Sequence, residues 1–416
     1  MTTASSSGCL PQRTPSAPGW LDHIATGLLY YYLTSLIPIL GVVFGFGYVM
    51  PPLNSPSKPG SILAAFANWD GNWYKTILEY GYHYDLRVES SVVFFPGFPL
   101  LGRLANDLLG CGPDLALLIV AHLCLAGSFV VLAAYVHRRY GPCSPNLVAY
   151  ILLAFGLFPV TFFFRMAYSE SLFVLSTLIA LYAMQMRWPL PVIAAIVGLS
   201  TAVRPVGVAL LVPLFLQIWA TRPTLAARLR QAILLASLAC WGIAAYMVYQ
   251  QLAFAEPLAF VKAQARWCLR PPVPLAEKLQ SLVLLEPIWS VYAPSSPAYW
   301  ERNDRFSDPV FSMLFLNPLY FLVAIALVIV GGAKGWLTRN ELALAVGLLL
   351  IPYVTRSHEM CMASMGRFAA AAFPLYLVLG QSLYRLPRGL AAGLLSVSGF
   401  FLAIYAALFA CGYFLF

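Results

Sequence analysis

The stretch at residues 68–100 reads NWDGNWYKTILEYGYHYDLRVESSVVFFPGFPL and follows the first long apolar run of the chain. Its apolar residues recur at helical spacing, at Trp69, Trp73, Ile77 and Tyr80. This spacing predicts a short helix with one apolar face, which Gly81 ends. Tryptophan and tyrosine on such a face favour the boundary between membrane and water, where the ring and its polar tip are both satisfied. We therefore expect a helix at the bilayer surface that opens beside a carboxylate, Asp70.

The composition of the whole chain indicates a membrane protein. Hydrophobic residues make up 61% of the 416 residues and charged residues 10%, and the mean hydropathy is +0.78. Soluble globular chains are far less apolar, and apolar runs of about 20 residues recur along this sequence. Because the alternation typical of strands is rare, helices and not a barrel are expected to cross the bilayer. We predict an all-α, polytopic membrane protein.

The remaining charges predict the topology, since short loops rich in Arg and Lys mark the cytoplasmic side. Such loops lie near residues 137–139, 187, 222–230, 334–339 and 385–388. They separate about eleven predicted transmembrane helices, at about residues 24–50, 115–136, 147–164, 172–186, two within 189–220, 233–254, 311–330, 342–354, 368–383 and 390 onward. The net charge of +9 reflects these loops. A nucleic-acid partner is not predicted, because no basic tract alternates with exposed aromatic residues.

The sequence divides into two parts. Residues 1–23 are predicted to be a disordered cytoplasmic segment without a cleavable signal. Residues 24–416 are predicted to form one transmembrane domain with two large extracytoplasmic loops, at 51–110 and 255–308. We expect interfacial helices in the first of these loops. Between residues 189 and 220, two short apolar runs separated by Arg204-Pro205 predict a helical hairpin or broken helices.

This topology collects ionisable residues on the side away from the cytoplasm. They are Asp70, Glu170, Arg204, Lys262, Arg266, Arg270, His358 and Arg367. Because burying a charge at the membrane boundary is costly, such residues are functional candidates. A carboxylate can accept a proton from a hydroxyl as a general base, and arginine binds phosphate oxygens through its fork of N–H donors. This combination suits an enzyme whose substrate carries a lipid tail.

Five motifs carry a family resemblance. Asn68-Trp69-Asp70, the Gly81-Tyr82 pair and FFPGFP at 94–99 resemble the first-loop signature of the GPI mannosyltransferase II (PIG-V-type) family. Four later elements are similar to that family in the same order: YSESLF at 168–173, STAVR at 200–204, PLAFVKAQARW at 257–267 and MGRFAAAAFP at 365–374. Together they extend over most of the chain. The chain departs from the family pattern at Asn68, where the family commonly has His.

The resemblance implies a GT-C-like fold and a membrane glycosyltransferase that works on the periplasmic or lumenal side. Such enzymes take a sugar from a polyprenyl- or dolichyl-phosphate monosaccharide, here mannose, and transfer it to a glycolipid or another hydroxyl acceptor. Asp70 would be the catalytic residue, acting as general base in an inverting displacement. A bacterial inner-membrane relative and a protein of the endoplasmic reticulum both fit. The expected substrate- and phosphate-binding residues are Arg204, Arg367, Glu170, Lys262, Gln264, Arg266, Trp69, Tyr168 and His358.

Simpler interpretations stay open. Asp70 could only cap the helix that it begins, and Glu170 could be a structural acid between helices. Lys262, Arg266 and Arg270 are spaced by four residues, which predicts one face of a helix that could bind phosphate or simply be solvated. A transporter or flippase of lipids or lipid-linked sugars would also have broken helices and embedded charge. A non-catalytic subunit of a membrane complex would need no catalytic acid.

Neither a metal nor another cofactor is indicated by the sequence. The acidic residues do not cluster as a divalent cation would require. The eight cysteines show no CxxC pairing. Cys268 and Cys361 fall on the same predicted side of the membrane, so a disulfide between them stays open.

Overall fold

The computed structural model describes residues 19–52, 58–141, 145–303, 308–413 and 415. Within these residues the chain is helical and contains no strand, so the predicted all-α class is confirmed. The helices are α1 (Trp20–Tyr48), α2 (Ile62–Phe66), α3 (Asp70–Tyr80), α4 (Gly97–Leu109), α5 (Pro113–Tyr140), α6 (Pro145–Leu157), α7 (Glu170–Gln185), α8 (Leu190–Val203), α9 (Leu211–Thr221), α10 (Leu225–Ala239), α11 (Trp241–Phe254), α12 (Ala259–Lys262), α13 (Leu275–Val283), α14 (Glu286–Trp289), α15 (Trp300–Asn303), α16 (Met313–Ala333), α17 (Arg339–Arg356), α18 (Met365–Ala370), α19 (Pro374–Arg385) and α20 (Arg388–Ala410). Short 3-10 turns cover Ser91–Val93, Pro159–Arg165, Pro205–Leu210, Ala263–Trp267 and Ser290–Tyr292.

The long apolar helices make this a multi-pass membrane protein. In the described part of the chain, α1, α5, α16 and α20 are each long and apolar enough to cross a bilayer. Two bent pairs, α6 with the 3-10 turn after it and α10 with α11, would raise the number of spans from four to six. The predicted count of about eleven is not confirmed. Several predicted spans are shorter apolar helices, among them α7, α8 and the segment Pro205–Thr221.

Two predicted continuous spans are divided in the structure, and a proline lies at each break. The span expected at 147–164 is bent by 76° where α6 meets Pro159–Arg165, and the span expected at 368–383 is split before Pro374. Proline lacks the N–H that continues a helix but is tolerated in a first turn, and here Pro159 and Pro374 each begin the new helical segment after the break. The break predicted at Arg204-Pro205 is confirmed, since α8 ends at Val203 and a 3-10 turn begins at Pro205.

The start of the first helix corrects the predicted N-terminal boundary. The disordered segment was expected to reach residue 23, but α1 begins at Trp20. Asp22 in the first turn accepts a hydrogen bond from the Gly19 N–H at 2.8 Å, which satisfies a donor that the helix leaves unpaired. Residues 1–18 lie outside the described part of the chain, as do residues 53–57 and 304–307 of the two predicted loops.

The predicted surface helix is α3, although its buried face differs from the expectation. It ends at Gly81, whose φ of 83° favours glycine. Tyr74, Ile77 and Leu78 are buried against the rest of the protein. Tyr80, expected on the same apolar face as Trp69, is exposed instead. The helix is therefore held by protein contacts along one side.

Close packing of α1 on α20 brings the C-terminal end of the chain toward α3. A Cβ added at Gly41 would lie 2.3 Å from the Ala403 carbonyl oxygen, and one added at Gly45 would lie 2.2 Å from that of Ala407. Only glycine permits this approach, as in the small-residue helix contacts of other membrane proteins. The last turn of α20 then lies beside residues 68 and 69, which precede α3.

Candidate active site

The centre of the candidate site is a chain of four charged side chains from α3, α7, α18 and the end of α8. The Asp70 Oδ2 atom accepts a hydrogen bond from Nη1 of Arg367 at 2.7 Å. The Nε atom of Arg367 lies 2.8 Å from Oε1 of Glu170, and Nη1 of Arg204 donates to the same oxygen at 2.8 Å. Four residues that the sequence marked separately therefore form one ion-pair network.

Burial in this network increases from Asp70 to Glu170. The side chain of Asp70 is 18% exposed, whereas that of Glu170 is fully buried. Burial alone would raise the pKa of the Glu170 carboxyl, but the guanidiniums of Arg367 and Arg204 outweigh this effect and hold the pKa below its usual value. Glu170 is therefore the shared anchor of two arginines. Asp70 is the carboxylate that solvent or a substrate can reach.

The backbone before α3 is held in an unusual conformation. Trp69 has a φ of 58°, a region that residues other than glycine rarely adopt. Its indole Nε1 donates to the Tyr413 carbonyl at 3.1 Å, and the Asn68 carboxamide donates to the carbonyls of Phe409 and Ala410 at 2.8 and 3.4 Å. Strained backbone persists where the surroundings fix it, and such positions cluster at functional sites. The end of α20 thus fixes the direction in which the chain enters α3.

Tyr168 holds the first residue of α3. Its hydroxyl donates to the Asn68 carbonyl at 2.9 Å and accepts the backbone N–H of Asp70 at 3.2 Å. The expected binding residue Tyr168 is fully buried, so its contacts assign it to positioning Asp70. Tyr74 makes a similar link one turn later, where its hydroxyl donates to Ser169 at 2.9 Å.

The geometry argues against the helix-cap interpretation of Asp70. The N-cap of α3 is Trp69, and Asp70 is the first helical residue. An N-cap side chain accepts from a backbone N–H two or three residues later. The Asp70 carboxylate instead accepts from Arg367, which is distant in sequence.

Aromatic rings surround the two guanidiniums. Arg367 lies over the ring of Tyr168 at 5.2 Å and over that of Phe368 at 5.6 Å. The guanidinium carbon of Arg204 lies 5.1 Å from the centre of the Phe368 ring and 5.8 Å from that of the Phe173 ring. Cations are attracted to ring faces and lose less on desolvation there. Phe368 therefore lies within cation–π distance of both arginines.

The segment before Arg367 is also tightly specified. Ser364 has a φ of 64°, and the Gly366 N–H donates to Asn317 Oδ1 of α16 at 3.0 Å. A Cβ added at Gly366 would lie 2.8 Å from that oxygen. A side chain at position 366 would therefore force Asn317, which binds the residue before Arg367, to shift.

The predicted helical face of Lys262, Arg266 and Arg270 is wrong. The helix α12 ends at Lys262, a 3-10 turn follows, and Cys268 is extended. Each cation has its own partner, because Lys262 pairs with Glu256, Arg266 donates to the Leu86 carbonyl and Arg270 pairs with Glu286. Tight turns at Ala263–Trp267 shift the register that a continuous helix would keep.

Two other expected binding residues make no hydrogen bond or ion pair with the network in the described part of the chain. The Gln264 side chain is half-buried and makes no hydrogen bond within the described residues. His358 lies in the turns after α17, where its carbonyl accepts from Arg270. Burial and the charge of Arg270 lower the pKa of the His358 imidazole, and its Nδ1 is buried without a partner in the described part of the chain. No contact there joins His358 to Asp70.

Tryptophan contacts bring the second loop against α3, which sequence reasoning did not anticipate. The ring centre of Trp267 lies 5.4 Å from that of Trp73 and 5.6 Å from that of Phe94. Trp73 follows Asp70 by three residues and so lies on nearly the same side of α3. Aromatic residues in three separate segments carried no signal of this pairing, because each is common at a membrane boundary.

Neither a metal site nor a disulfide is formed by the described residues. No group of three or more His, Cys, Asp or Glu side chains there could hold a metal ion. Cys268 and Cys361 are both free thiols.

Curated relatives match part of the chain. GPI alpha-1,6-mannosyltransferase 2 of Rattus norvegicus is 32% identical over 143 residues, which are 32% of this chain and 28% of that protein. The protein of the same name from Homo sapiens is 32% identical over 127 residues, 29% of this chain and 25% of its own length. The family resemblance is confirmed over this part of the chain. The chain thus spans about a quarter of the length of the curated relatives that it matches. No model of a protein family matches the chain.

Solved structures with a similar course of the backbone were also found. The oligosaccharyltransferase of Archaeoglobus fulgidus in its apo form has a TM-score of 0.48 at 12% identity, covering 94% of this chain and 56% of that one. ArnT from Cupriavidus metallidurans, bound to undecaprenyl phosphate, has a TM-score of 0.46 at 13% identity, covering 89% and 62%.

Proposed function

We propose that this protein is an integral-membrane glycosyltransferase that transfers mannose from a polyprenyl- or dolichyl-phosphate donor to a hydroxyl acceptor. The observation that carries the proposal is the partly exposed Asp70 carboxylate, fixed through Arg367 to a fully buried Glu170. The names of the partial relatives support a mannosyl donor. The acceptor is a glycolipid or another hydroxyl compound on the side of the membrane away from the cytoplasm.

Asp70 is the general base in this proposal. Arg367 occupies its Oδ2 atom, and no group of the described residues donates to Oδ1. The free oxygen can therefore accept the proton of an acceptor hydroxyl as that hydroxyl attacks the anomeric carbon. A base in hydrogen-bonding contact contributes about 10²–10⁴-fold to such a reaction. Attack opposite the leaving phosphate inverts the anomeric configuration, and one carboxylate is enough.

Arg204 is the first candidate for the donor phosphate. It uses Nη1 for Glu170, while its Nε and Nη2 atoms make no hydrogen bond within the described residues. Two N–H donors on one guanidinium match two phosphate oxygens. Arg266 on the neighbouring second loop is exposed, uses only Nε, and is a second candidate. Arg367 serves the two carboxylates and is assigned to positioning.

The test is sugar transfer by the purified full chain in nanodiscs, with polyprenyl-phosphate-mannose and a membrane-lipid extract as acceptor source. Asp70→Asn keeps the shape of the side chain but removes its basicity. Asp85→Asn is the matched control, because Asp85 lies in the same loop and also pairs with an arginine, Arg87, at 2.7 Å. We expect transfer by the wild type and by Asp85→Asn, and a loss of at least about 100-fold for Asp70→Asn.

Other outcomes have definite meanings. Equal transfer by both variants would remove Asp70 as the base. Donor movement across the bilayer without transfer would favour the transporter interpretation. A third outcome would favour a non-catalytic subunit. In it, the purified wild-type chain neither transfers the sugar nor moves the donor, whereas a larger complex that contains the Asp70→Asn chain still transfers the sugar.

A further inference from the structure

The helix α13 (Leu275–Val283) presents an apolar arc to its surroundings. Leu275, Leu279 and Val283 recur every fourth residue and are 72%, 50% and 81% exposed. At 3.6 residues per turn these three side chains lie within about 80° of one another. A contiguous exposed stripe of large apolar residues on one helix marks a surface that another apolar phase covers.

The other side chains of α13 divide into an exposed group and a group that faces the protein. Glu277 and Gln280 are exposed outside the apolar arc. Lys278 and Leu282 turn toward the protein, where Lys278 forms an ion pair with Glu359 and Leu282 is buried. The helix thus has a protein side, an apolar side and a water side, which is the pattern of a helix lying in a membrane interface.

A hydrogen bond from α17 holds α13 beside the end of that helix. The Tyr353 hydroxyl, one turn before the end of α17, donates to the Leu282 carbonyl at 2.9 Å. On α17 itself, Val346, Leu350 and Val354 form another exposed stripe of four-residue spacing. This stripe ends at Val354, the residue next to Tyr353, which binds α13.

The charged side chains between α13 and the rest of the protein are paired, since Lys278 binds Glu359 and Arg270 binds Glu286. Arg270 forms two hydrogen bonds with Glu286, from Nη1 at 2.9 Å and from Nη2 at 2.8 Å. Trp289, at the end of the next short helix, is more than half exposed, and tryptophan favours the level of the lipid headgroups. Binding at this surface would therefore be apolar rather than directed at anionic groups.

We propose that α13 is a membrane-interface helix whose apolar arc lies in the lipid leaflet on the side of Asp70. The occupant is the bilayer, because α13 is bound to Tyr353 beside the end of the exposed apolar stripe of α17 and because the other exposed side of α13, with Glu277 and Gln280, is polar. The helix α13 is bound to the segment that leads to Arg367. The contacts are the Lys278–Glu359 ion pair, the Tyr353 hydrogen bond and the backbone hydrogen bonds of residues 269 and 270 to the Glu359 carbonyl. The second loop is thereby anchored in lipid next to the candidate site.

The test places a cysteine and an environment-sensitive fluorophore at position 279 of the full chain in phosphatidylcholine nanodiscs. Gln280→Cys is the matched control, because position 280 is also exposed but lies on the neighbouring polar side of the helix. Labelled wild type corrects for the native cysteines. A lipid carrying a spin label on its acyl chain serves as quencher. We expect several-fold stronger quenching and bluer emission for Leu279→Cys than for Gln280→Cys.

Equal quenching at the two positions would overturn the proposal. It would also be overturned if the fluorophore at 279 were shielded from water but not quenched by the labelled lipid, because a protein would then cover the arc. Cross-linking of two chains through the cysteine at 279 would identify that cover as a second copy. The result does not depend on sugar transfer, so it can fail or succeed separately from the proposed function.

Discussion

Replacement of Glu170 by glutamine tests whether the candidate site is organised by one buried carboxylate. Glu170→Gln keeps the volume of the side chain but removes the charge that Arg204 and Arg367 share. Removing one partner of a buried ion pair costs about 3–5 kcal/mol, since the other charge stays buried without compensation. We expect the lower end, about 3 kcal/mol, because Arg367 keeps its bond to Asp70.

The free energy of unfolding would be measured by denaturant titration of the purified chain in mild detergent. Glu256→Gln is the control, because Glu256 also pairs with a cation, Lys262, but does so at the surface. Exposed ion pairs contribute little, so this control should unfold like the wild type. Equal unfolding of Glu170→Gln and Glu256→Gln would refute the assignment of Glu170 as the anchor.

Sugar transfer gives a second measurement on the same variants. Without the shared carboxylate, the two guanidiniums no longer have a fixed separation, and the arginine that positions Asp70 loses one of its two contacts. We expect the rate of transfer to fall at least about tenfold, which corresponds to about 1.4 kcal/mol in the activation barrier. A variant that unfolds more easily but transfers at the wild-type rate would make Glu170 a structural acid only.

Three further substitutions have expected outcomes. Gly45→Val should lower the free energy of unfolding by about 1–3 kcal/mol, because a Cβ at position 45 would lie 2.2 Å from the Ala407 oxygen. The control Gly47→Val should unfold like the wild type in the same titration, since nothing lies within 4 Å of a Cβ at position 47. Asn68→Ala should lower the rate of sugar transfer more than it lowers the free energy of unfolding, because the two hydrogen bonds of Asn68 to the end of α20 direct the chain into α3. A normal rate of transfer would show that this anchor is dispensable. Arg367→Lys should lose most transfer while the protein still folds, because an ammonium cannot reproduce the fork between two carboxylates; unchanged kinetics would contradict that geometry.

Local features of the fold could be predicted because they depend on residues close together in the sequence. The helix from Asp70 to Tyr80 follows from the spacing of its apolar residues and from Gly81. The break at Arg204-Pro205 follows from the missing N–H of proline. The number of spans could not be obtained in this way, since 3-10 turns and bends divide apolar runs that look continuous.

The pairing within the site could not be predicted from spacing. Asp70 and Arg367 are 297 residues apart, and the sequence placed them only on the same side of the membrane. The role of Asn68 was equally hidden, because its carboxamide binds backbone carbonyls of α20, which carry no side-chain signal. The helical face predicted for Lys262, Arg266 and Arg270 was wrong for the opposite reason. Their regular spacing suggested a helix, but in the structure each cation binds a separate partner elsewhere in the protein: Glu256, the Leu86 carbonyl and Glu286.

The charge balance of the network bears on how a lipid phosphate would leave. Two guanidiniums and two carboxylates sum to zero, so the resting network could hold a phosphate through the unused N–H donors of Arg204 but not through net charge. The proposed donor is a phosphodiester with one negative charge, and departure of its sugar would leave a phosphate monoester with two. If Asp70 takes the acceptor proton in the same step, the network changes from neutral to one positive charge as the leaving group gains one negative charge. Charge stabilisation that appears only in the transition state raises the rate without tightening the binding of the substrate. A paired, neutral network around a partly exposed base therefore suits a displacement on a lipid phosphate better than a cluster of free arginines would.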